Sequence, residues 1–424
     1  MSVLFYMFII VGIINLLHIA FFVIGGNVYD TIWAAKKRSL DRSRRPRYRN
    51  PLISVLVPAY NEALVIERCL DSIRKSSYKK VQVIVIDDSS QDLTGSLVRK
   101  YIKDHPTFPL QLISRRHNQG KALGLNYAAK KYAKGDLIMT LDADSVLHKN
   151  ALKNTVRYFD DPQIVGVAAN VRIMEEFSFL GLLQRFEHMV AYRSKKFFTV
   201  MNCELVVGGV ASTYRREILD KVHYYDSDTV TEDIGLSMKI AGLGNKRHRL
   251  VYASDVVAMT EGVLSFKALF IQRFRWKLGN LQNLIKYRRM LFSTNRNYSF
   301  SLSWYRIPMA YLGEIIILLE PIIMAYIIYL SVRFLTPAML LGAYSVITLY
   351  LLLIILPDEH MNFHQKLKSA FFAPFVYFMF YVMNIVQLVS IVRCIWNADK
   401  VFDLVKSSGT WTSPRRSGRT ASSF

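Results

Sequence analysis

Apolar sequence in this chain is concentrated at its two ends, and that placement constrains the fold more than any other feature. One apolar stretch covers residues 3–24, and three more cover 307–332, 338–356 and 371–395. Each is long enough to cross a bilayer. The first lacks a basic leader and a clear small-residue cleavage site, so it reads as a retained transmembrane helix rather than a signal peptide. A chain of 424 residues, 52% of them hydrophobic, holds one sizeable soluble domain plus these spans.

The net charge of +23 invites a nucleic-acid reading, but its location argues against it. Lys36, Lys37, Arg38, Arg42, Arg44, Arg45, Arg47 and Arg49 follow the first apolar stretch directly. A second run, Lys267, Arg273, Arg275, Lys277, Lys286, Arg288 and Arg289, precedes the next. Both abut the membrane, where anionic lipid favours each charge by roughly 1 kcal/mol. Membrane lipids, not nucleic acid, are the partner this charge implies. The three cysteines, Cys69, Cys203 and Cys394, have no metal-ligand or disulfide spacing, and Cys69 and Cys203 in the central domain fit a reducing compartment.

Between the ends, short apolar runs alternate with amphipathic segments. Strands are expected at 53–58, 81–87, 110–113 and 137–141, with helices at 62–75 and from the second strand to about 103. This alternation implies an α/β fold with a parallel sheet, which binds ligands beyond the carboxyl ends of its strands. Tyr60, Asn61 and Glu62 follow the first strand, Asp87 and Asp88 the second, and Asp142 and Asp144 the fourth. Further on, 205–210 reads as another strand whose Gly208 and Gly209 permit close backbone approach. Glu232 opens a helix capped by Thr231 and ended by Gly242 or Gly244. Residues 264–290 form an amphipathic helix suited to the membrane interface.

Three patterns carry chemistry. Asp142 and Asp144, one residue apart on an extended chain, point the same way and can hold a divalent cation against phosphate oxygens. Asp233 at a helix start is either an acidic cap or a general base, with Glu232 beside it. Gln272, Arg275 and Trp276 lie within two helical turns; Arg275 can pair with a phosphate and Trp276 can stack on a sugar. Read alone, the last set is an interfacial helix with snorkelling arginines. Glu314 and Glu320 sit inside an apolar stretch and should face protein or a water-filled path, unless the stretch begins as an interfacial helix that leaves Glu314 near the headgroups. His360 and His364, four apart, are ordinary juxtamembrane residues rather than metal ligands.

Together, Asp87-Asp88, Asp142-Ala143-Asp144, Thr231-Glu232-Asp233 and Gln272-Arg273-Phe274-Arg275-Trp276 resemble the processive, membrane-embedded family 2 glycosyltransferases. These are the cellulose, hyaluronan, chitin and poly-N-acetylglucosamine synthases. The stretch 225–233 and the tail 410–415 are most similar to the bacterial poly-β-1,6-N-acetylglucosamine synthases. The resemblance implies a Rossmann-like GT-A domain with one N-terminal and about three C-terminal transmembrane helices. It further implies that Tyr60, Glu62, Asp88 and Lys121 contact uridine, and that Asp144, with Asp142, holds Mg2+ or Mn2+. Asp233 would be the base, Gly208 and Gly209 would lie at the acceptor end, and Gln272, Arg275 and Trp276 would close over diphosphate and acceptor. After Trp276, Lys277-Leu278-Gly279-Asn280 departs from the run expected there.

The expected organisation is a transmembrane helix at 1–28, a basic linker at 29–50, a cytoplasmic GT-A domain at 51–260, interfacial helices at 261–300, a transmembrane bundle at 301–396 and a basic tail at 397–424. The expected activity is transfer of a sugar, N-acetylglucosamine by resemblance, from a UDP-sugar to a growing polysaccharide that is extruded across the plasma membrane. A single transfer to a membrane lipid, as in ceramide glucosyltransferases, is the second reading, and a catalytically dead scaffold the third. Relatives of the first kind usually work with a small membrane partner subunit. One conflict stands. Three spans after a cytoplasmic domain would put Lys400, Lys406, Arg415, Arg416 and Arg419 outside, against the positive-inside rule.

Overall fold

The computed structural model describes residues 3–42, 50–174, 178–334, 338–402, 416 and 418. Arg44, Arg45, Arg47 and Arg49, and the tail segment 410–415, lie outside the described residues. Helix α1 (Val3–Arg42) carries the first apolar stretch. Strands β1 (Ile53–Ala59), β2 (Val81–Asp87), β3 (Leu110–Ser114) and β4 (Leu137–Thr140) are parallel neighbours in the order β3-β2-β1-β4. Helices α2 (Ile66–Arg74), α3 (Thr94–Asp104) and α4 (Lys121–Lys131) connect them.

Beyond β4 the sheet becomes mixed. The chain adds β5 (Val146–Leu147), α5 (Ala151–Tyr158), β6 (Ile164–Ile173), α6 (Phe179–Val200), β7 (Ser212–Arg215), α7 (Arg216–Lys221), α8 (Glu232–Gly242) and β8 (Arg249–Thr260). β7 runs antiparallel to β4 and β6, β8 parallel to β6, and β5 antiparallel to β8, which completes eight strands. Alternate residues of the first strands supply opposite cores. Ile53, Val55, Val57, Val83 and Val85 pack into one, and Leu56, Ile84 and Ile86 into the other. Burial on both faces is why these strands read as continuous apolar runs.

Residues 205–210, expected as a strand, are irregular. Their backbone donors are taken by side chains: Leu205 and Val206 donate to Glu204 Oε1 at 3.0 and 2.8 Å, and Val207 to Ser237 Oγ at 3.0 Å. A ladder has nothing to pair with there, and the strand forms only at β7.

Past its apolar stretch, α1 is clamped to the sheet domain. Glycines allow the approach to α6, because a Cβ at Gly25 or Gly26 would fall 2.4 Å from Phe197 or Arg193. Tyr29 then donates to the Tyr252 carbonyl at 2.9 Å, and Trp33 stacks on Tyr158 at 4.1 Å.

After β8 come α9 (Phe266–Lys286), α10 (Ile307–Arg333), α11 (Ala338–Ile355), α12 (Phe363–Trp396) and α13 (Ala398–Phe402). Among the described residues, Phe5–Lys36, Ser301–Arg333 and Phe378–Trp396 are long and apolar enough to span a membrane, and Tyr344–Ile355 is a shorter apolar helix. The acids in α10 face protein. Glu314 accepts from Lys277 Nζ at 2.7 Å and Asn280 Nδ2 at 3.0 Å, and Glu320 accepts from Asn384 of α12. His360 sits before α12 with Nε2 3.1 Å from the Ser254 carbonyl, and Asn362 caps the helix between it and His364. The two histidines therefore share no helix face.

Candidate functional site

The register that sets Ile53 opposite both Val81 and Leu137 brings the ends of β1, β2 and β4 to one edge. The loops at that edge lock each other. Asn61, in the left-handed region at φ 56°, donates its N–H to Ser90 Oγ at 3.0 Å and accepts from the Gln91 N–H at 2.8 Å. The Glu62 N–H reaches Thr94 Oγ1 at 2.9 Å, and α2 begins at Ile66 rather than at Glu62. Tyr60 stands half-buried between β1 and this loop. Asp88 accepts from Arg115 at 3.0 Å and from the Gly120 N–H at 2.9 Å, which ties β2 to the start of α4.

Tethered in this way, α4 aims its first residue, Lys121, into the acidic cluster. Its Nζ lies 2.6 Å from Asp142 Oδ1 and 3.6 Å from Glu232 Oε1. Burial would push the ammonium's pKa down, but Asp142, Glu232 and Asp233 together raise it. Lys121 thus stands among the carboxylates.

Asp142 and Asp144 are not on extended chain. β4 ends at Thr140, and the Ser145 N–H bonds back to the Asp142 carbonyl at 2.9 Å, closing a turn. The two side chains consequently meet different partners. Asp142 faces Lys121, while Asp144 accepts from Ser145 at 2.9 Å and from Thr260 at 3.2 Å. Arg68 supports the turn through the Asp144 carbonyl at 2.9 Å and Glu261 at 2.8 Å.

Asp233 is half-buried in the first turn of α8. Burial first, then the charge of Glu232, pushes its carboxyl above the ordinary range, while Lys121, the Ile234 N–H and Arg275 pull it back. A carboxyl raised toward neutrality suits a base, since proton transfer is most efficient with a pKa near the working pH. Thr231 makes no side-chain cap, contrary to expectation. Gly209 is enclosed by the same groups: a Cβ there would meet Lys121 Nζ at 2.9 Å, Asp233 Oδ2 at 3.6 Å and Asp142 Oδ2 at 3.8 Å. Gly208 lies just outside, 4.0 Å from Asp233 Oδ2 by the same construction.

On α9, begun by a Ser265 cap, Gln272 accepts from Arg273 at 3.0 Å. Arg273 is buried, pairs with Glu187 and holds its guanidinium 4.1 Å from the Trp276 ring centroid. Trp276 itself is 38% exposed. Arg275 acts electrostatically on Asp233, so α9 faces the acidic cluster.

Sequence reasoning missed two cations of the site. Arg273 reads as one more interfacial arginine, and only its burial reveals that it backs Trp276. Arg416 comes from the tail and is bidentate on Glu62 at 2.9 and 2.7 Å, with its other nitrogen 2.5 Å from Asp144 Oδ2. Nothing in its local sequence signals that destination.

These contacts also test whether a divalent cation fits. Glu62 and Asp144 hold one positive group between them, and Asp142 holds another. Carboxylate oxygens around a stand-in cation suit Mg2+ or Mn2+. Among the described residues no three His, Cys, Asp or Glu converge as a complete cage. The remaining positions would thus fall to ligand oxygens.

Residues 54–223 match the family described as glycosyl transferase family 2. The poly-β-1,6-N-acetyl-D-glucosamine synthase of Staphylococcus aureus (strain COL) is 30% identical over 274 residues, 62% of this chain and 64% of the relative. That of Staphylococcus epidermidis is 28% identical over 239 residues, 55% and 56% of the two chains. The chain thus spans just under two thirds of the length of the curated relatives it matches. Among solved structures, mannosyltransferase PcManGT from Pyrobaculum calidifontis, in complex with GDP-Man and Mn2+, superposes with a TM-score of 0.57. The superposition covers 90% of this chain and 98% of that one at 22% identity, a likeness of fold. The matched segment holds the three strand ends, Lys121, the turn at 142–144 and Gly208-Gly209, while Asp233 and α9 lie beyond it. Residues 54–223 thus match a glycosyl transferase family 2 domain, and the sheet that carries them has a GT-A-like fold.

Proposed function

We propose that this enzyme is an inverting, metal-dependent membrane glycosyltransferase that moves N-acetylglucosamine from UDP to the end of a growing polysaccharide. The observation that carries the reading is the convergence of Lys121, Asp142 and Asp233 on Gly209, with Arg275, next in the chain to a half-exposed Trp276, acting on Asp233. An acceptor sugar stacked on Trp276 presents a hydroxyl to Asp233, which takes its proton as the oxygen attacks the anomeric carbon from the face opposite UDP. Arg275 and Lys121 supply positive charge near the departing diphosphate. A divalent cation at Asp144, with Asp142, would neutralise the phosphate oxygens when bound. Tyr60, Glu62 and Asp88, at the β1 and β2 ends, would receive the nucleoside.

The choice of N-acetylglucosamine and a polymeric product follows the staphylococcal relatives. A plasma-membrane site with the domain in the cytoplasm follows the basic residues flanking α1 and the free, buried Cys69, Cys203 and Cys394. One observation favours the second reading, a single transfer to a membrane lipid. The segment before α12 contacts the sheet domain and α13 after it contacts α9, so few helices remain to enclose a polysaccharide.

Incubating the purified membrane protein with UDP-N-acetylglucosamine and Mg2+ or Mn2+, then sizing the product, tests both. A ladder of long chains is expected. A lipid carrying one sugar would replace the first reading with the second.

A further inference from the structure

The face of α9 that presents Trp276 also presents Asn283, because seven residues make almost two full turns. Asn283 and its neighbour Gln282 are completely buried, unlike the exposed tryptophan. The Asn283 amide nitrogen lies 2.9 Å from the Gly279 carbonyl, 3.2 Å from Thr231 Oγ1, 3.3 Å from the Thr231 carbonyl and 3.4 Å from Thr229 Oγ1. Gln282 accepts from the Val230 N–H at 3.1 Å and donates to the Lys400 carbonyl of α13 at 2.8 Å. Three consecutive residues before α8 are thus bound to α9.

The contact is also as close as chains allow. A Cβ at Gly279 would lie 2.2 Å from Thr231 Oγ1, and one at Gly235 of α8 would lie 3.0 Å from Asn283 Oδ1. Thr231 was the expected cap of α8, yet its hydroxyl faces Asn283. What sets the position of Glu232 and Asp233 is therefore α9, not a cap within their own helix.

We propose that Asn283 is a positioning residue: with Gln282 it fixes the start of α8, and so the Asp233 carboxylate, relative to the Trp276 face of α9. This rests on the reading of Asp233 as the base. The nucleoside-binding loops after β1 and β2 make none of these contacts, so donor affinity should be independent of Asn283.

The test is Asn283→Ala, with Gly279→Ala as a second variant that pushes Thr231 away from α9 by a different route. Rates are expressed per donor-binding site, titrated calorimetrically with UDP-N-acetylglucosamine, so that misfolded protein does not count. A fall in kcat of about tenfold or more is expected, the scale of a sub-ångström misplacement of a reacting group. Donor Kd should stay within about twofold of wild type, since no donor contact is lost. Loosening the contact admits water to Asp233, whose carboxyl is raised mainly by burial, so the acid limb of kcat should move to lower pH. A merely structural role would lower the number of sites and leave both kcat per site and the pH profile unchanged, and that result overturns the proposal. If Asp233→Asn keeps full turnover, the base reading fails instead. If Asp233→Asn is inactive and Asn283→Ala behaves as wild type per site, only the positioning claim falls.

Discussion

Gly209→Ala should cripple transfer without harming the fold. Gly209 does not use the left-handed region, so alanine fits its backbone. The cost arises in the pocket, where the new methyl would stand 2.9 Å from Lys121 Nζ. Ordinary contact begins near 3.4 Å, so the ammonium must retreat by about 0.5 Å. It is not free to do so, because Asp142 holds it at 2.6 Å and Glu232 at 3.6 Å. Weakening a charge-assisted hydrogen bond costs about 1.5–3 kcal/mol. If that loss falls on the transition state, kcat drops by about tenfold to a hundredfold. The same retreat removes part of the positive charge that holds down the Asp233 carboxyl, so its pKa rises further and the acid limb of kcat moves to higher pH. This shift is opposite in sign to that expected for Asn283→Ala. Initial rates of UDP release across pH, with donor Kd and melting temperature measured beside them, give the answer. Wild-type kcat with an unmoved acid limb would refute the placement of Lys121, Asp233 and Gly209 in one working pocket.

Asp233→Asn should abolish transfer while retaining donor binding, read by product formation and calorimetry; equal turnover would remove Asp233 as base. Chelation should stop the reaction and Mn2+ or Mg2+ restore it, and Asp144→Asn should raise the cation concentration for half-maximal rate by about tenfold or more. Arg273→Ala leaves Glu187 without its buried partner and Trp276 without its cation, so stability should fall by about 3 kcal/mol in thermal or denaturant melts. Arg273→Lys should recover little of this, because an ammonium cannot lie flat across the ring as a guanidinium does.

The parts of the fold that the sequence disclosed are those where local pattern and final contact coincide. β1, β2 and β4 are apolar runs ended by acids, and the register merely aligns what each run already shows. Prediction failed where a particular group, near or far in the chain, claimed the backbone or a side chain. Residues 205–210 are apolar enough for a strand, but Glu204 and Ser237 take their N–H groups. Thr231 has the residue type and place of a cap, but Asn283, 52 positions away, engages its hydroxyl. The Asp142 and Asp144 side chains diverge because Ser145 closes a turn within two residues of the strand end. Arg416 reaches Glu62 across 354 positions, a pairing no local pattern encodes. α6 and β8 escaped notice for another reason: α6 buries part of nearly every turn, and β8 bulges where it pairs with Ala169 and Asn170 of β6.

The ends of each helix bear on the conflict over the tail's charge. α10 leaves the sheet domain, since its start packs beside α8 and α9 and its Glu314 meets Lys277. α11 returns, because the segment after it anchors Asp358 to Arg172 at 2.6 and 2.8 Å and His360 to the Ser254 carbonyl. α12 therefore starts at the domain. It also finishes there, with Arg393 over the Phe274 ring at 4.5 Å and Lys400 tied to Gln282. The tail then carries Arg416 to Glu62 and Asp144. One outward and one returning helix, followed by a helix that begins and ends at the domain, leave Arg416 on the domain that Lys36 of α1 also meets, through Asp161 at 3.8 Å. The positive-inside rule asks for that arrangement of Lys and Arg. α10 and α11 thus form a hairpin, followed by a helix laid along α9, and of these Ser301–Arg333 and Phe378–Trp396 are long and apolar enough to span a membrane.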